Sequence, residues 1–309
     1  LLPLSLTAMS DQDHTPIPLP GERLHPESVS ISADGHAYVS SVTGGVLRVT
    51  LATGAIEQWI KPGDFGSSST FGVLVDRAAG LLWVCNNDLR AMGVTIAGGD
   101  EGAHLKAFDL ATGEGRRSFR LPGEGPLCND MAVAGDGTLY VTETNHSHIL
   151  RLRPGAQALE DWHHDPAYAG PKGAGLDGIA FGSDGHLYLN NIRSHELFRL
   201  EMGPDGTAGR TVLLTPSRTL ESPDGLRPLG GLRFAQAEGG GKIAVVTVKG
   251  DRAELETLAE GLSSPTGLDA HEGVVWYVEG EFSYVFNKDL RSQTPPPFTL
   301  SPVSAAGAR

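Results

Sequence analysis

The sequence predicts an all-β protein, a six-bladed β-propeller with four antiparallel strands per blade, and three observations predict it. A single residue followed by an apolar alternation recurs six times, at Glu27, Phe71, Asn129, Asp177, Asp224 and Thr266. The alternation marks a half-buried strand. The intervals between these positions are 44, 58, 48, 47 and 42 residues, a period typical of propeller repeats. Asp-Gly pairs at Asp34-Gly35, Asp136-Gly137 and Asp184-Gly185 separate apolar runs. They signal hairpins because Gly accepts positive φ.

Each repeat reads in the same order. After the inner strand and its turn comes a second strand: Ala37-Tyr38-Val39, Leu82-Trp83-Val84, Leu139-Tyr140-Val141, Leu187-Tyr188-Leu189 and Val275-Trp276-Tyr277. A third follows at Val46–Val49, Leu105–Phe108, Ile149–Leu152 and Leu197–Leu200. A fourth, more polar strand ends the unit, which completes a propeller blade. Leu19-Pro20-Gly21-Glu22 and Leu121-Pro122-Gly123-Glu124 each begin eight residues before a repeat position. The second leads out of an outer strand, so Ile17–Leu19 is expected to be the outer strand of the last blade, closing the ring and protecting its edge. The stretch from Asn86 to His104 is the longest interruption and accounts for the interval of 58; a lid and a floppy insertion are both open for it. The run Gly239-Gly240-Gly241-Lys242 reads as a hairpin turn, and Pro295-Pro296-Pro297 as a loop.

The 309 residues are read as one propeller over 13–309, preceded by a tail or signal-peptide remnant over 1–12. That apolar start favours an exported, periplasmic or secreted protein over a cytoplasmic one. The 41 glycines and 20 prolines fit short strands and turns rather than helices. A net charge of −13 argues against a nucleic-acid partner, whose phosphates ask for a basic face. No apolar run is long enough to span a bilayer. Monomer and dimer both stay open. With two cysteines, Cys85 and Cys128, the chain is no disulfide scaffold. Cys128 is expected to be a small buried hydrophobe rather than a nucleophile, since no Cys-His motif accompanies it.

In a propeller the inner strands start near the axis, so equivalent residues ring one spot. Glu27, Asn129, Asp177 and Asp224 would meet there, three carboxylates and an amide oxygen. Oxygen ligands of this kind suit calcium; zinc would recruit His or Cys, and none stands at these positions. Three carboxylates so placed would repel without a cation. The alternative is that each residue merely caps a strand or makes a turn.

The order Glu, Asn-Asp, Asp-Gly, Asp-Gly resembles the calcium-dependent six-bladed propeller hydrolases: the senescence marker protein/gluconolactonase group, diisopropyl fluorophosphatase and the paraoxonases. Asn129-Asp130-Met131-Ala132-Val133 with Tyr140-Val141-Thr142 is similar to the paraoxonase third blade, and Pro265-Thr266-Gly267-Leu268 to the gluconolactonase sixth blade. The resemblance implies a catalytic Ca2+ held by Glu27, Asn129, Asp177 and Asp224. Asp130 resembles a residue that faces a second, structural calcium in some members, and otherwise stands behind the first. Three departures matter. Asp177 stands where these families usually have Asn, Thr266 where the fluorophosphatase has His, and Leu127 where sugar-lactone members have Arg. The last points away from a polar sugar acid, toward a less polar lactone, ester or phosphotriester.

The implied chemistry is metal-assisted hydrolysis of a small molecule, with Asp224 as general base, nucleophile or ligand alone. Loops after the second strands offer Asn86, Asn87, Arg90, Glu143, Asn190, Arg193 and Glu279 as substrate-lining candidates. His146, His148, His163 and His164 read as surface histidines. No G-x-S-x-G elbow, P-loop or dinucleotide fingerprint is present. Strictosidine-synthase-like or lyase chemistry on the same scaffold, or a non-catalytic binding propeller, are the rival readings.

Overall fold

The computed structural model describes residues 14–169 and 173–305; the expected tail, residues 1–12, lies outside them. Six sheets form six blades. Their inner strands are Pro26–Ile31, Ser69–Asp76, Cys128–Val133, Leu176–Phe181, Pro223–Gly230 and Pro265–His271. Within each blade the next strands pair antiparallel and in chain order. The last blade takes Thr299–Ser304 as its third strand and Ile17–Pro18 as its fourth, with Ile17 opposite Leu300. The N-terminal strand thus closes the ring, as its sequence suggested. The fifth sheet differs, having a fifth strand, Thr215–Pro216, that pairs parallel to Arg252–Glu260. The chain leaving blade four lies along that outer edge and covers it.

The core is not one mass but six apolar clusters, one in each seam between neighbouring blades. Tyr38, Val46 and Ile60 of blade one meet Val73, Leu82 and Val84 of blade two, for example. Val29, Val39 and Leu47 meet Trp276, Val278 and Leu300 across the closing seam. The inner strands, such as Pro26–Ile31, are buried on both faces because a blade has a neighbour on either side, whereas outer strands such as Ala55–Ile60 are largely exposed. Among the described residues no helix is long and apolar enough to cross a membrane.

The two cysteines correct the sequence reading. Cys85 and Cys128 form a disulfide, with Cα atoms 5.2 Å apart. Cys85 lies near the end of the second strand of blade two, and Cys128 begins the inner strand of blade three. Both face the seam of Trp83, Leu105, Met131 and Val141. The bond therefore ties two blades across a buried interface.

The long interruption is also fixed in place. Asp100 N donates to Gly66 O, and Lys106 Nζ reaches Asp100 at 2.5 Å. Gly102 N donates to Asp88, and Arg291 donates to Met92 O. The segment is thus pinned to the blade one–two connection and to the last blade's loop.

Candidate metal centre and catalytic site

All six inner strands share one irregularity. Register with the second strand breaks between Pro26 and Val29, Thr70 and Val73, Cys128 and Met131, Leu176 and Ile179, Pro223 and Leu226, and Pro265 and Leu268. Each break brackets the repeated position and the residue after it. A bulge re-aims side chains and releases backbone groups from the ladder. In three blades a second-strand side chain takes the released N–H: Ser40 Oγ from Ser28, Thr142 Oγ1 from Asp130, and Asn190 Oδ1 from Gly178.

The residue after the repeated position is Gly in four blades: Gly72, Gly178, Gly225 and Gly267. Packing demands it. A Cβ on Gly72 would lie 2.2 Å from Asn129 O, on Gly178 2.5 Å from Asp224 O, and on Gly267 2.4 Å from Ser28 Cα. Inner strands of adjacent blades approach backbone to backbone here, which draws the repeated positions together at the axis.

The result is a buried cavity of about 10 Å3, lined by Glu27, Ser28, Gly72, Asn129, Asp130, Asp177, Asp224, Gly225, Thr266 and Gly267. That is roughly room for one water-sized particle. Glu27, Asn129, Asp177 and Asp224, far apart in the chain, are all there and all buried. Asn129 Nδ2 donates to Asp177 Oδ2 and to Thr144 Oγ1, both at 2.9 Å, which turns its carbonyl oxygen into the amide's free donor atom. Glu27 Oε2 is buried without a partner among the described groups. Burial, then the facing Asp177, pushes the Glu27 carboxyl well above its ordinary range. Burial with Asp177 and Glu27 does the same to Asp224. Asp177 is pushed up to about 7 by burial, although hydrogen bonds with Asp224 and Asn129 oppose the rise.

These groups fit a hard cation. Three carboxylates share one space, one oxygen is unpartnered, and no imidazole or thiolate is among them. They are not gathered at ligating distance: among the described residues no three His, Cys, Asp or Glu groups are spaced to hold a metal. Asn129 supplies an amide oxygen outside such a set.

Asp130, expected beside a second ion or behind the first, faces the cavity's lower side. Arg227 holds both its oxygens, Nη1 to Oδ2 at 2.6 Å and Nη2 to Oδ1 at 3.0 Å.

The other predicted residues lie elsewhere; none lines the cavity. Asn87 pairs with the backbone of Cys128 in both directions, its Nδ2 donating to Cys128 O and its Oδ1 accepting from Cys128 N. Asn86 Oδ1 accepts from Ser68 N. Asn190 caps the blade-four bulge and donates to Asp224 O at 2.7 Å. Glu143 accepts from the N–H groups of Leu127, Asn145 and His146. Glu279 accepts from Ser263 and Ser264 N–H groups. Arg90 pairs with Asp88 and Glu101, and Arg193 is an exposed loop residue. The strands run on past their apolar stretch, so these polar ends still belong to the ladder and bind the backbone beside it. The long segment over residues 88–103 contributes nothing to the cavity either.

Two features escaped the sequence reading. Arg227 is one. The other is the reach of the blade two–three seam cluster: Phe71, Leu89, Val285 and Cys128 belong to it, with Leu127, Phe282 and Phe286 packed on it. Phe71 precedes the cavity residue Gly72 in the chain, and the Phe282 ring lies near Thr266 across Gly280.

No protein-family model and no curated protein matches the chain. Solved structures match its fold. A gluconolactonase from Xanthomonas campestris is 17% identical with a TM-score of 0.65, over 91% of this chain and 86% of that one. The virginiamycin B lyase from Staphylococcus aureus, in an inactive variant with quinupristin, is 18% identical with a TM-score of 0.59, over 85% and 80%. The PQQ-bound aldose sugar dehydrogenase from Streptomyces coelicolor is 16% identical with a TM-score of 0.58, over 93% and 97%. At such identities the likeness establishes the propeller and leaves the chemistry to the residues at its axis.

Proposed function

We propose that this chain is a calcium-dependent hydrolase of lactones or carboxylic esters, with phosphotriesters as the further class to assay. One observation carries the reading: four inner strands deliver Glu27, Asn129, Asp177 and Asp224 to a single buried cavity, with a carboxylate oxygen left unpartnered. Oxygen donors with this much negative charge suit Ca2+. When bound, the ion would supply Lewis acidity toward a carbonyl or phosphoryl oxygen. The chain's own part is to hold the acidic groups against their repulsion and to place a base. Asp224 is that base: its backbone carbonyl is fixed by Asn190 Nδ2, and its carboxylate, which a bound cation would keep ionised, lines the cavity where a water would be activated. Asp177 keeps contact with it and divides the negative charge.

The apolar cluster of Phe71, Leu127, Phe282 and Phe286, with Phe71 next to the cavity residue Gly72 in the chain, supports a substrate with a hydrophobic acyl or alkyl part over a sugar acid. The buried disulfide supports an oxidising compartment, periplasmic or extracellular.

The test is turnover of a lactone and ester panel by the full chain, in calcium and in chelator, for the native protein and for Asp224→Asn. Hydrolysis that needs calcium and Asp224 upholds the proposal. Hydrolysis indifferent to both refutes it. Calcium-stabilised folding with no turnover of any panel member moves the protein to the binding class.

A further inference from the structure

Beneath the cavity the repeat breaks its own pattern. Three residues beyond the cavity position, the six blades carry Ser30, Leu74, Ala132, Ala180, Arg227 and Asp269. Strand register makes these equivalent, because each follows the residue where pairing resumes: Val29, Val73, Met131, Ile179, Leu226 and Leu268. Three of the six are small. The one long polar side chain among the six is Arg227, only 4% exposed.

Its guanidinium joins four blades. From blade five it donates twice to Asp130 of blade three. It also reaches Ser28 Oγ of blade one at 3.3 Å and Val73 O of blade two at 3.4 Å. Ser28 and Asp130 are the two places where the ring of glycines beside the cavity is interrupted. The exceptions to one column are thus the partners of the exception in another. Asp269 of blade six lies close enough for its charge to act on Arg227, and is itself held by Ile31 N at 2.7 Å.

We propose that Arg227 is a resident cation of the tunnel, standing where a second metal ion would have to bind Asp130, so that the chain carries one divalent ion at most and locks its ring on the axis with a side chain. The one-ion count rests on the function proposed above; the claim about Asp130 does not. A carboxylate already held by a bidentate guanidinium offers no oxygen to a metal without losing a charge-assisted pair. A fork also has what an ion lacks: it fixes direction, so its partners on three other blades are set in register. Arg227 is a positioning residue and touches no reacting atom.

The experiment counts calcium ions per chain by equilibrium dialysis with calcium chloride, and follows thermal melts in chelator and in millimolar calcium. It compares the full-length native protein with Arg227→Ala. Native protein is expected to bind one ion. Removing one partner of a buried ion pair leaves a bare carboxylate, so Arg227→Ala should melt roughly 6 °C lower in chelator. In calcium it should bind one ion more than native protein and recover most of that loss. Native protein binding none, with Arg227→Ala binding one, upholds the tunnel cation and removes the calcium site above it. Two ions on native protein overturn the proposal. So does an Arg227→Ala chain that gains no ion, or one that stays unfolded in calcium.

Discussion

Raising the pH of the calcium-free protein from about 5 to about 8 should destabilise it, and the axis carboxylates give the size. Asp177 ionises near 3.8 in an unfolded chain and near about 7 when buried in the ring. Between those values the folded state binds a proton that the unfolded state has released. Stability therefore falls as pH rises through the window; the contribution of this proton is intact below the lower value and fully lost above the upper one. Over the whole window the loss is about 4 kcal/mol, at about 1.36 kcal/mol for each tenfold change in proton affinity, and about 3 kcal/mol of it falls between pH 5 and pH 8. Glu27 and Asp224 move in the same direction. The three titrate as a cluster, so the fall should spread over the window rather than sit at one midpoint. For a chain of this size the part between pH 5 and pH 8 amounts to roughly 4 °C of melting temperature.

The assay is a series of melts across that range in chelator and in calcium, for native protein and Asp177→Asn. A bound divalent cation favours the ionised carboxylates, so the calcium series should flatten and the gap between the series should widen with pH. Asp177→Asn removes one charge, keeps a ligating oxygen, and should flatten the chelator series. The net charge of −13 also adds repulsion at high pH, but it would act on the Asn variant almost equally. A chelator series that is level or rises with pH, or an Asn variant with the native slope, would falsify the reasoning.

Three further outcomes follow from the same geometry. Asp224→Asn should lower turnover about 10³-fold, in the range for loss of a general base, with the native circular dichroism spectrum kept; less than tenfold would leave Asp224 a ligand only. Gly267→Ala places a Cβ 2.4 Å from Ser28 Cα and 2.6 Å from Glu27 O, forcing apart blades six and one, and should cost about 3 kcal/mol in a denaturant titration. Gly135→Ala, with no atom within 4 Å, should be silent in the same titration, and equal losses would discard the packing argument. Replacing Cys85 and Cys128 by Ala opens a link across 43 residues and should cost about 4 kcal/mol by loop entropy; an unchanged midpoint under oxidising conditions would show that the bond contributes nothing.

The ring and its closure were legible because they rest on local signals. Asp-Gly turns, alternation and the doubled Leu-Pro-Gly-Glu each fix a strand without reference to any other blade. The gathering of Glu27, Asn129, Asp177 and Asp224 was legible for the same reason, since a repeat converts sequence position into spatial position. What crosses a seam was not. Cys85 and Cys128 meet because the end of one second strand abuts the start of the next inner strand, a relation no spacing within a blade reveals. Asn87, Asn190 and Glu143 carry polar chemistry after an apolar strand, which reads as a loop facing solvent. They are instead buried, and they serve backbone groups that bulges and blade junctions leave unpaired. Burial of this kind is common wherever a backbone donor has left its ladder.

Arg227 has a different lesson, because the sequence did contain a signal for it. A perfect sixfold ring cannot hold a site: six equal residues at one level would give six equal charges or six equal methyl groups. Chemistry needs the column to be broken, and the ring is broken at three successive levels. The cavity level has four oxygen donors with Phe71 and Thr266 between them. The next has four glycines with Ser28 and Asp130 as exceptions, and the third has Arg227 and Asp269 among small or apolar residues. The glycines are what the geometry imposes, since a Cβ there meets backbone. The exceptions are therefore the residues to which a role can be assigned. Asp130 reads as a ligand when its own level is considered alone, next to Asn129 and facing the cavity. With the third level included, it is the partner of a cation two blades away. The acid nearest the ligand set is in this way withheld from it by the fork of Arg227, which limits the carboxylates left for a metal to Glu27, Asp177 and Asp224.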